Sequence, residues 1–239
     1  MILNLCFKVR SLILAIVLSG LGFISSAFGQ TAVIVNPDGR LTYLGTLGGS
    51  WSVPSAINDR GQVVGESETT GGNSSNFITG PNGAGMRDLG ALGGVFDMNE
   101  SGQLVGQSGN QAFVTGPNGE DKKYLGTLGG PWSAANGINN AGRVVGWLDR
   151  VEGERQAFIT GPNGEGITYL DMLPKQTSSE AFGINDAGQV VGTARGESET
   201  GPYGLYIHAF VTRGGWSKIT SLGLYLVLEL DFPGKVIGV

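Results

Sequence analysis

Trp51, Phe96 and Trp132 each stand two positions after a Gly-Gly pair. A flat ring recurring at a fixed place suits carbohydrate, because the C–H face of a sugar stacks on the π system while nearby Ser and Asn bond its hydroxyls. Recurrent aromatics in repeated sequences also serve as packing, and rings wedged between neighbouring repeats are the alternative. Four carboxylates, Glu66, Glu68, Asp149 and Glu197, lie in polar stretches. Glycoside hydrolysis needs one acid and one base or nucleophile held several ångströms apart. Close copies of one repeat lack the asymmetry of an active site, so no catalytic residue is assigned and a non-enzyme is expected, with a glycosidase as the alternative.

His208 is the only histidine, which excludes a site built on two imidazoles, and Gln111 and Gln156 take its place in sister repeats. The loops carry neither the alternating Asp ladder of an EF-hand nor the glycine-aspartate nonapeptide of calcium-binding β-helices. No metal ion and no cofactor is expected.

Lys8 and Arg10 precede the apolar run Ser11 to Ile24, and small residues follow at Ala27 and Gly29. This pattern is a secretory signal peptide over residues 1–29, with an uncleaved anchor as the alternative. The only cysteine, Cys6, leaves with it, so the exported chain has no disulfide framework and no thiolate chemistry. Two of the 15 basic residues also leave, whereas all 20 acidic ones stay. A surface of that sign repels phosphate backbones and excludes nucleic acid as a partner.

Residues 30–239 hold enough chain for one domain with a sizeable core. Glycine is abundant, 43 residues against 9 prolines, without collagen periodicity. Short apolar runs between the glycines indicate strands and tight turns, and the fold class is all-β.

Two motifs alternate along this stretch. One places Asn58, Asn99, Asn139 and Asn185 ahead of Gly, a polar residue and a β-branched or aliphatic pair, as in "GINDAGQVVG". Here Asn tolerates left-handed geometry and Gly supplies positive φ, the chemistry of a tight hairpin. The other reads "NFITGPNG", "QAFVTGPNG" and "QAFITGPNG", with a degraded "HAFVTRGG" ending at Gly215. Its Pro presets φ, and Asn-Gly completes a second turn. Each unit is therefore four short strands, the content of a β-propeller blade, which buries its faces only against neighbours.

"AVIVNPDGRLTYLGTLGG" near the start matches the second half of a unit, and "LELDFPGKVIGV" at the end places Asp231, Gly234 and Val236 as in a first half. Four complete repeats and two complementary half repeats make a five-bladed propeller closed by pairing its first strands with its last. An open β-solenoid is the alternative. In this arrangement the tight turns fall on one face. The opposite face receives the crossovers with Trp51, Phe96 and Trp132 and the connections 65–76, 147–156 and 193–208, where binding is usually grafted.

The segments "LGTLGGPWSAANGINNAGRVVGW" with "QAFIT", and "AFGINDAGQVVGTA" with "HAFVTRGG", resemble the HAF-repeat family of bacterial secreted proteins, named for His208-Ala209-Phe210 as it stands here. The resemblance runs from Ala32 to about Leu222 and implies an extracellular or cell-surface protein with no established activity. Many relatives end in a Pro-Glu-Pro sorting tail, whereas "LYLVLELDFPGKVIGV" has neither that box nor a spanning helix, so simple secretion is expected. The sequence thus leads to a secreted monomer, with the periplasm as a second compartment. Its expected role is an extracellular binding or scaffolding module for a glycan or another envelope component, and the third reading is an inert matrix protein.

Overall fold

The structure, a computed structural model, describes residues 30–127, 129–151, 153–172, 176–197, 204–212, 219–231 and 235–237. The signal-peptide segment and the degraded turn ending at Gly215 lie outside them. Two compact units divide after Val95. The first holds a hairpin, β1 (Ala32–Val35) and β2 (Leu41–Gly45), and one antiparallel sheet of β3 (Gly48–Ile57), β4 (Val63–Thr69), β5 (Ser74–Thr79) and β6 (Met86–Gly90).

The second unit has three antiparallel sheets. They are β7 (Gly94–Met98) to β10 (Lys123–Gly126) through β8 (Leu104–Ser108) and β9 (Gln111–Val114); β11 (Ser133–Ile138) to β14 (Ile167–Tyr169) through β12 (Val144–Asp149) and β13 (Arg155–Thr160); and a five-stranded sheet. That last sheet comprises β15 (Gln176–Ile184), β16 (Val190–Glu197), β17 (Gly204–Thr212), β18 (Ile219–Asp231) and β19 (Lys235–Ile237). The all-β class and the four-strand unit follow the expectation.

The repeated Asn works differently from the expectation. Asn58, Asn99, Asn139 and Asn185 are absent from the left-handed residues, and only the following Gly61, Gly102, Gly142 and Gly188 have positive φ. The Asn side chain instead closes the turn: Asn58 Oδ1 accepts from the Arg60 and Gln62 amides at 3.2 and 3.0 Å, while its Nδ2 donates to Gln62 Oε1 at 2.9 Å. Asn99 repeats the pattern with Ser101 and Gln103. Left-handed Asn belongs to the other motif, at Asn82, Asn118 and Asn163 in the Pro-Asn-Gly turns, each near φ 55°.

The two motifs occur together because they interlock. Within one sheet the Asn82 and Gly83 amides donate to the Arg60 and Gly61 carbonyls at 2.9 and 2.8 Å, and Asn118 and Gly119 do the same to Ser101 and Gly102. A Cβ at Gly61 would stand 2.9 Å from Asn82 Cα, so the close approach requires glycine as much as the φ of 70° does. The repeated Thr that ends the third strand, ahead of Gly-Pro in three sheets and of Arg-Gly in the last, has its task too: Val63, Leu104, Val144 and Val190 donate to the hydroxyls of Thr79, Thr115, Thr160 and Thr212 at 2.8 to 2.9 Å. Those Thr side chains are buried, so each satisfies an amide that water cannot reach.

The Phe of the third strand, in "NF" or "AF", seats on the Gly that ends the β-branched pair. Gly65 pairs with Phe77, Gly146 with Phe158 and Gly192 with Phe210. A Cβ at Gly192 would lie 2.6 Å from the Phe210 ring. All these rings are fully buried, each contributing about 1.5 to 3 kcal/mol of hydrophobic stabilisation.

Each unit has its own core. Ala32, Leu44, Val63 and Phe77 form the centre of the first. In the second, Val105 and Val114 pack with Ile138 and Val144, and Val145 and Ile159 pack with Ala181, Val190 and Phe210. A serine clasp joins successive sheets: Ser133 Oγ accepts from the Ala112 amide at 2.9 Å and donates to the Gly126 carbonyl at 2.7 Å. Ser52 does so with Ala32 and Gly45. The hairpin β1–β2 therefore meets its neighbour as β9–β10 meets the following sheet. A second ladder crosses the turns of the second unit, from Asn99 Nδ2 to the Asn139 carbonyl and from Asn139 Nδ2 to the Asn185 carbonyl, both at 3.1 Å.

Candidate functional site

In the sheets β3–β6, β7–β10 and β11–β14 the crossovers and the turns between second and third strands lie at one end, and the repeated Asn turns and the Pro-Asn-Gly turns at the other, as the topology requires. The stretches 65–76 and 147–156 are hairpins more than loops: β4 and β5 are paired from Glu68–Ser74 inward, and β12 and β13 from Asp149–Arg155 inward. Their polar residues alternate with core positions, which hid the strands from a reading of composition.

In the first unit Trp51 lies in β3 and is half-buried. Its carbonyl accepts from Ser67 Oγ at 3.0 Å. Beside it, Glu68 Oε2 accepts from both the amide and the hydroxyl of Ser50 at 2.6 Å. The Ser50 hydroxyl, and then its amide, hold the Glu68 carboxyl below the usual carboxylate range. Glu66 reaches Ser74 at 3.4 Å. The Ser50–Glu68 and Ser67–Trp51 bonds tie β3, which carries Trp51, to β4.

In the second unit Trp132 is 49 % exposed, which removes it from the core. The Asp149 amide donates to its carbonyl at 2.8 Å, and Asn110 Nδ2 holds the preceding Pro131 carbonyl at 2.8 Å. Ser133 pairs with Leu148 and Ala134 with Trp147. Alternation along the strand then sets Trp132 on the sheet face that carries Trp147, Asp149 and Arg155, opposite to the buried Ser133.

Arg155 organises this patch. Its guanidinium stacks 3.8 Å from the Trp147 ring centroid, its Nη1 is 2.6 Å from Glu180 Oε1, and its Nε is 3.7 Å from Asp149 Oδ1. An Arg held over an indole by two carboxylates gives this face a positioned cation and a ring beside polar acceptors. Of these residues Trp132 and Asp149 are candidates by sequence, and Trp147 and Arg155 fall in the connection 147–156 expected to carry binding; Glu180 lies in none of the segments so marked. The sheet of β3 to β6 has Glu66 and Ser74 at the corresponding places, so the patch is asymmetric between repeats.

Phe96 is 45 % exposed but does not share the place of the two tryptophans. Its crossover is short: Phe96 stands three residues before Asn99, whereas Trp51 and Trp132 stand seven before Asn58 and Asn139. Counting from the turn, Phe96 corresponds to Asn136 and Phe182, at the register shifts between Ala135 and Gly137 and between Ala181 and Gly183. The Gly-Gly spacing that linked the three rings is thus undone by a deletion in one crossover. His208 sits within β17 opposite Ala194 and Tyr225, and the side chain of Glu197 lies outside the described residues.

At the tight-turn end of the first unit a cleft of about 350 Å³ is lined by Ile34, Asn36, Ile57, Asp59 and Asn82. In the second unit the counterpart of Asn82 is Asn163, which receives Gln103 Nε2 at 3.2 Å from the preceding sheet. The cleft walls are therefore packing surfaces of the repeat. Among the described residues no group of three or more His, Cys, Asp or Glu is placed to hold a metal ion, and no helix is long and apolar enough to cross a membrane.

Neither a protein-family model nor a curated protein matches the chain in sequence. Solved structures do match in fold. A putative TolB from Agrobacterium tumefaciens superposes with a TM-score of 0.55 at 11 % identity, covering 84 % of this chain and 76 % of that one. TolB from Acinetobacter baumannii gives 0.53 at 14 %, covering 80 % and 48 %, and a puromycin hydrolase S511A mutant complexed with PGG gives 0.52 at 14 %, covering 82 % and 33 %. The chain thus spans about half or less of the last two. At such identities the likeness shows the fold alone, a β-propeller-like stack of antiparallel sheets.

Proposed function

We propose that this protein is a binding or scaffolding module of the cell envelope or the extracellular space, and that its ligand is a surface polysaccharide or another envelope component. One observation carries the reading: the half-exposed Trp132 stands, by register, on the sheet face that carries the Trp147–Arg155 contact held by Asp149 and Glu180. An open aromatic face beside charged groups already held in place is what sugar recognition needs, since the ring stacks on C–H groups and the polar atoms bond hydroxyls without further ordering. Trp51, backed by the Ser50–Glu68 clasp, is the corresponding contact of the first unit.

The signal-peptide pattern and the resemblance to HAF-repeat proteins support export, and the acidic surface disfavours nucleic acid. In this reading residues 30–239 form one five-bladed propeller, with β1–β2 and the C-terminal hairpin as the halves of the fifth blade. Binding proceeds without turnover: Glu68 is engaged by Ser50 and Asp149 by Arg155, so both carboxylates serve the scaffold. A glycan array probed with the exported chain tests the reading. Retention of one class of acidic or neutral polysaccharide is expected; no retention of any glycan contradicts the ligand assignment, and shortened products from a bound glycan contradict binding without turnover.

A further inference from the structure

The valine pair at the centre of each sheet shows where a layer is owed. Val105 pairs with Val114 and Val145 with Ile159. All four are at most 2 % exposed, covered by the following sheet through Ile138 and Val144 in one case and Val190 and Ile184 in the other. In the last sheet the corresponding pair is Val191 and Val211. Val191 is 48 % exposed, and Phe182 beside it on β15 is 49 % exposed. Two large apolar side chains on one open sheet face call for a cover.

The element that covers this face in the other sheets is a hairpin of first and second strands, and the chain carries one more. Asp231 pairs with Lys235, Leu230 with Val236 and Glu229 with Ile237. In β15–β16 the Asn185 amide bonds the Gln189 carbonyl, and Ile184 pairs with Val190 and Gly183 with Val191. The register is the same, and "DFPGKVIG" repeats the spacing of "NDAGQVVG". The pairing of β18 with β17 also breaks at one place, between Ser221 opposite Phe210 and Tyr225 opposite His208. Leu222-Gly223 at that break reads as the "LG" that ends the outer strand of earlier sheets.

We propose that the Val191–Phe182 face is the docking surface for the chain's own paired strands, the end of β18 and β19, reached when the residues after Gly223 give up their pairing with β17. The inference rests on the propeller reading above and adds its occupant. By spacing from the turn, Leu230 and Val236 correspond to Ile138 and Val144, and to Ile184 and Val190. Tethering favours the hairpin of the same chain over that of a second copy, because a short linker keeps its effective concentration in the millimolar range.

A disulfide tests this in the full chain. Val145 and Val190 share one core cluster, so Val191 and Val236 should meet in the same way. In a Cys6→Ser background the Val191→Cys/Val236→Cys variant is oxidised and run without reductant. The expected result is an intramolecular bridge in a monomer, formed as readily as in a Val145→Cys/Val190→Cys control. Where β19 stays at the outer edge, three strands from β16, the two positions are at least about 14 Å apart, too far for a bridge. Absence of the bridge in a chain that melts as the parent does under reducing conditions overturns the proposal, and a bridge only in dimers assigns the face to a second copy and overturns it as well. Retained glycan binding in either case leaves the functional reading standing. Val191→Asp gives a second test: docking predicts a melting temperature lower by at least about 5 °C, against little change for Val53→Asp at the same 48 % exposure. Equal, small shifts in both overturn it.

Discussion

Arg155 lies over Trp147, 3.8 Å from the ring centroid, and its Nη1 is tied to Glu180 at 2.6 Å. The first unit has no such stack at the corresponding residues Glu66 and Ser74. The repeat scaffold is shared between sheets, whereas this contact is local, and locality of that kind is what a site grafted on a repeat requires.

Arg155→Ala should therefore separate binding from folding. With the side chain 45 % exposed, loss of its ion pairs and ring contact is expected to cost no more than about 1 kcal/mol of stability. Glycan retention should fall several-fold. Denaturant melts and retention on immobilised polysaccharide are the two measurements, and an unchanged retention would remove Arg155 from the site.

The interlocked turns predict a contrast between two glycines. Gly61 and Gly39 both have positive φ, but a Cβ meets the Asn82 backbone at 2.9 Å in the first and nothing within 4 Å in the second. Gly39→Ala should cost about 1 to 2 kcal/mol, the backbone term alone. Gly61→Ala should cost clearly more, because it also breaks the docking of the Pro-Asn-Gly turn. Equal losses in urea denaturation would show that the two turns are independent.

Ser133→Ala tests the clasp between sheets. It removes the acceptor of the buried Ala112 amide and the donor to Gly126. A loss of about 1 to 3 kcal/mol is expected from the unsatisfied amide, read as a lower urea midpoint. A neutral result would mean that water replaces the hydroxyl.

The Ser50–Glu68 bonds predict a pH dependence. The Glu68 carboxyl is held below its ordinary value by the Ser50 hydroxyl and amide. A depressed folded pKa contributes stability that is present above the unfolded value and is lost as the pH falls through the folded one. Glu68→Gln should therefore melt below the parent at neutral pH, and the two curves should converge as the pH drops below the carboxylate range. Parallel curves down to acid pH would contradict the bond.

Much of this fold could be read from residues alone. The spacing of Asn58, Asn99, Asn139 and Asn185 marks four hairpins, and period-two strands with Pro-Asn-Gly turns mark the rest, because local turn chemistry needs no partner to be recognised. The mechanism at Asn was misjudged, since Asn serves both as a left-handed residue and as a side-chain cap, and only the tertiary context selects between them. Phe96 was misplaced because a shortened crossover preserves the Gly-Gly spacing while shifting the register counted from Asn99. The Trp147–Arg155–Glu180 contact was illegible, as it joins three strands of two sheets, and pairing across sheets leaves no spacing signal.

Trp132 belongs, in the proposed function, to a binding surface and not to a core. Trp132→Ala, measured for thermal unfolding and for affinity to whichever polysaccharide the array retains, tests it most directly. A binding role for the ring gives a melting temperature within a few degrees of the parent, in keeping with its 49 % exposure, together with binding weakened by about 1 to 3 kcal/mol. A loss of about 3 to 5 kcal/mol in folding, the signature of a packed tryptophan, or an affinity equal to that of the parent would contradict it.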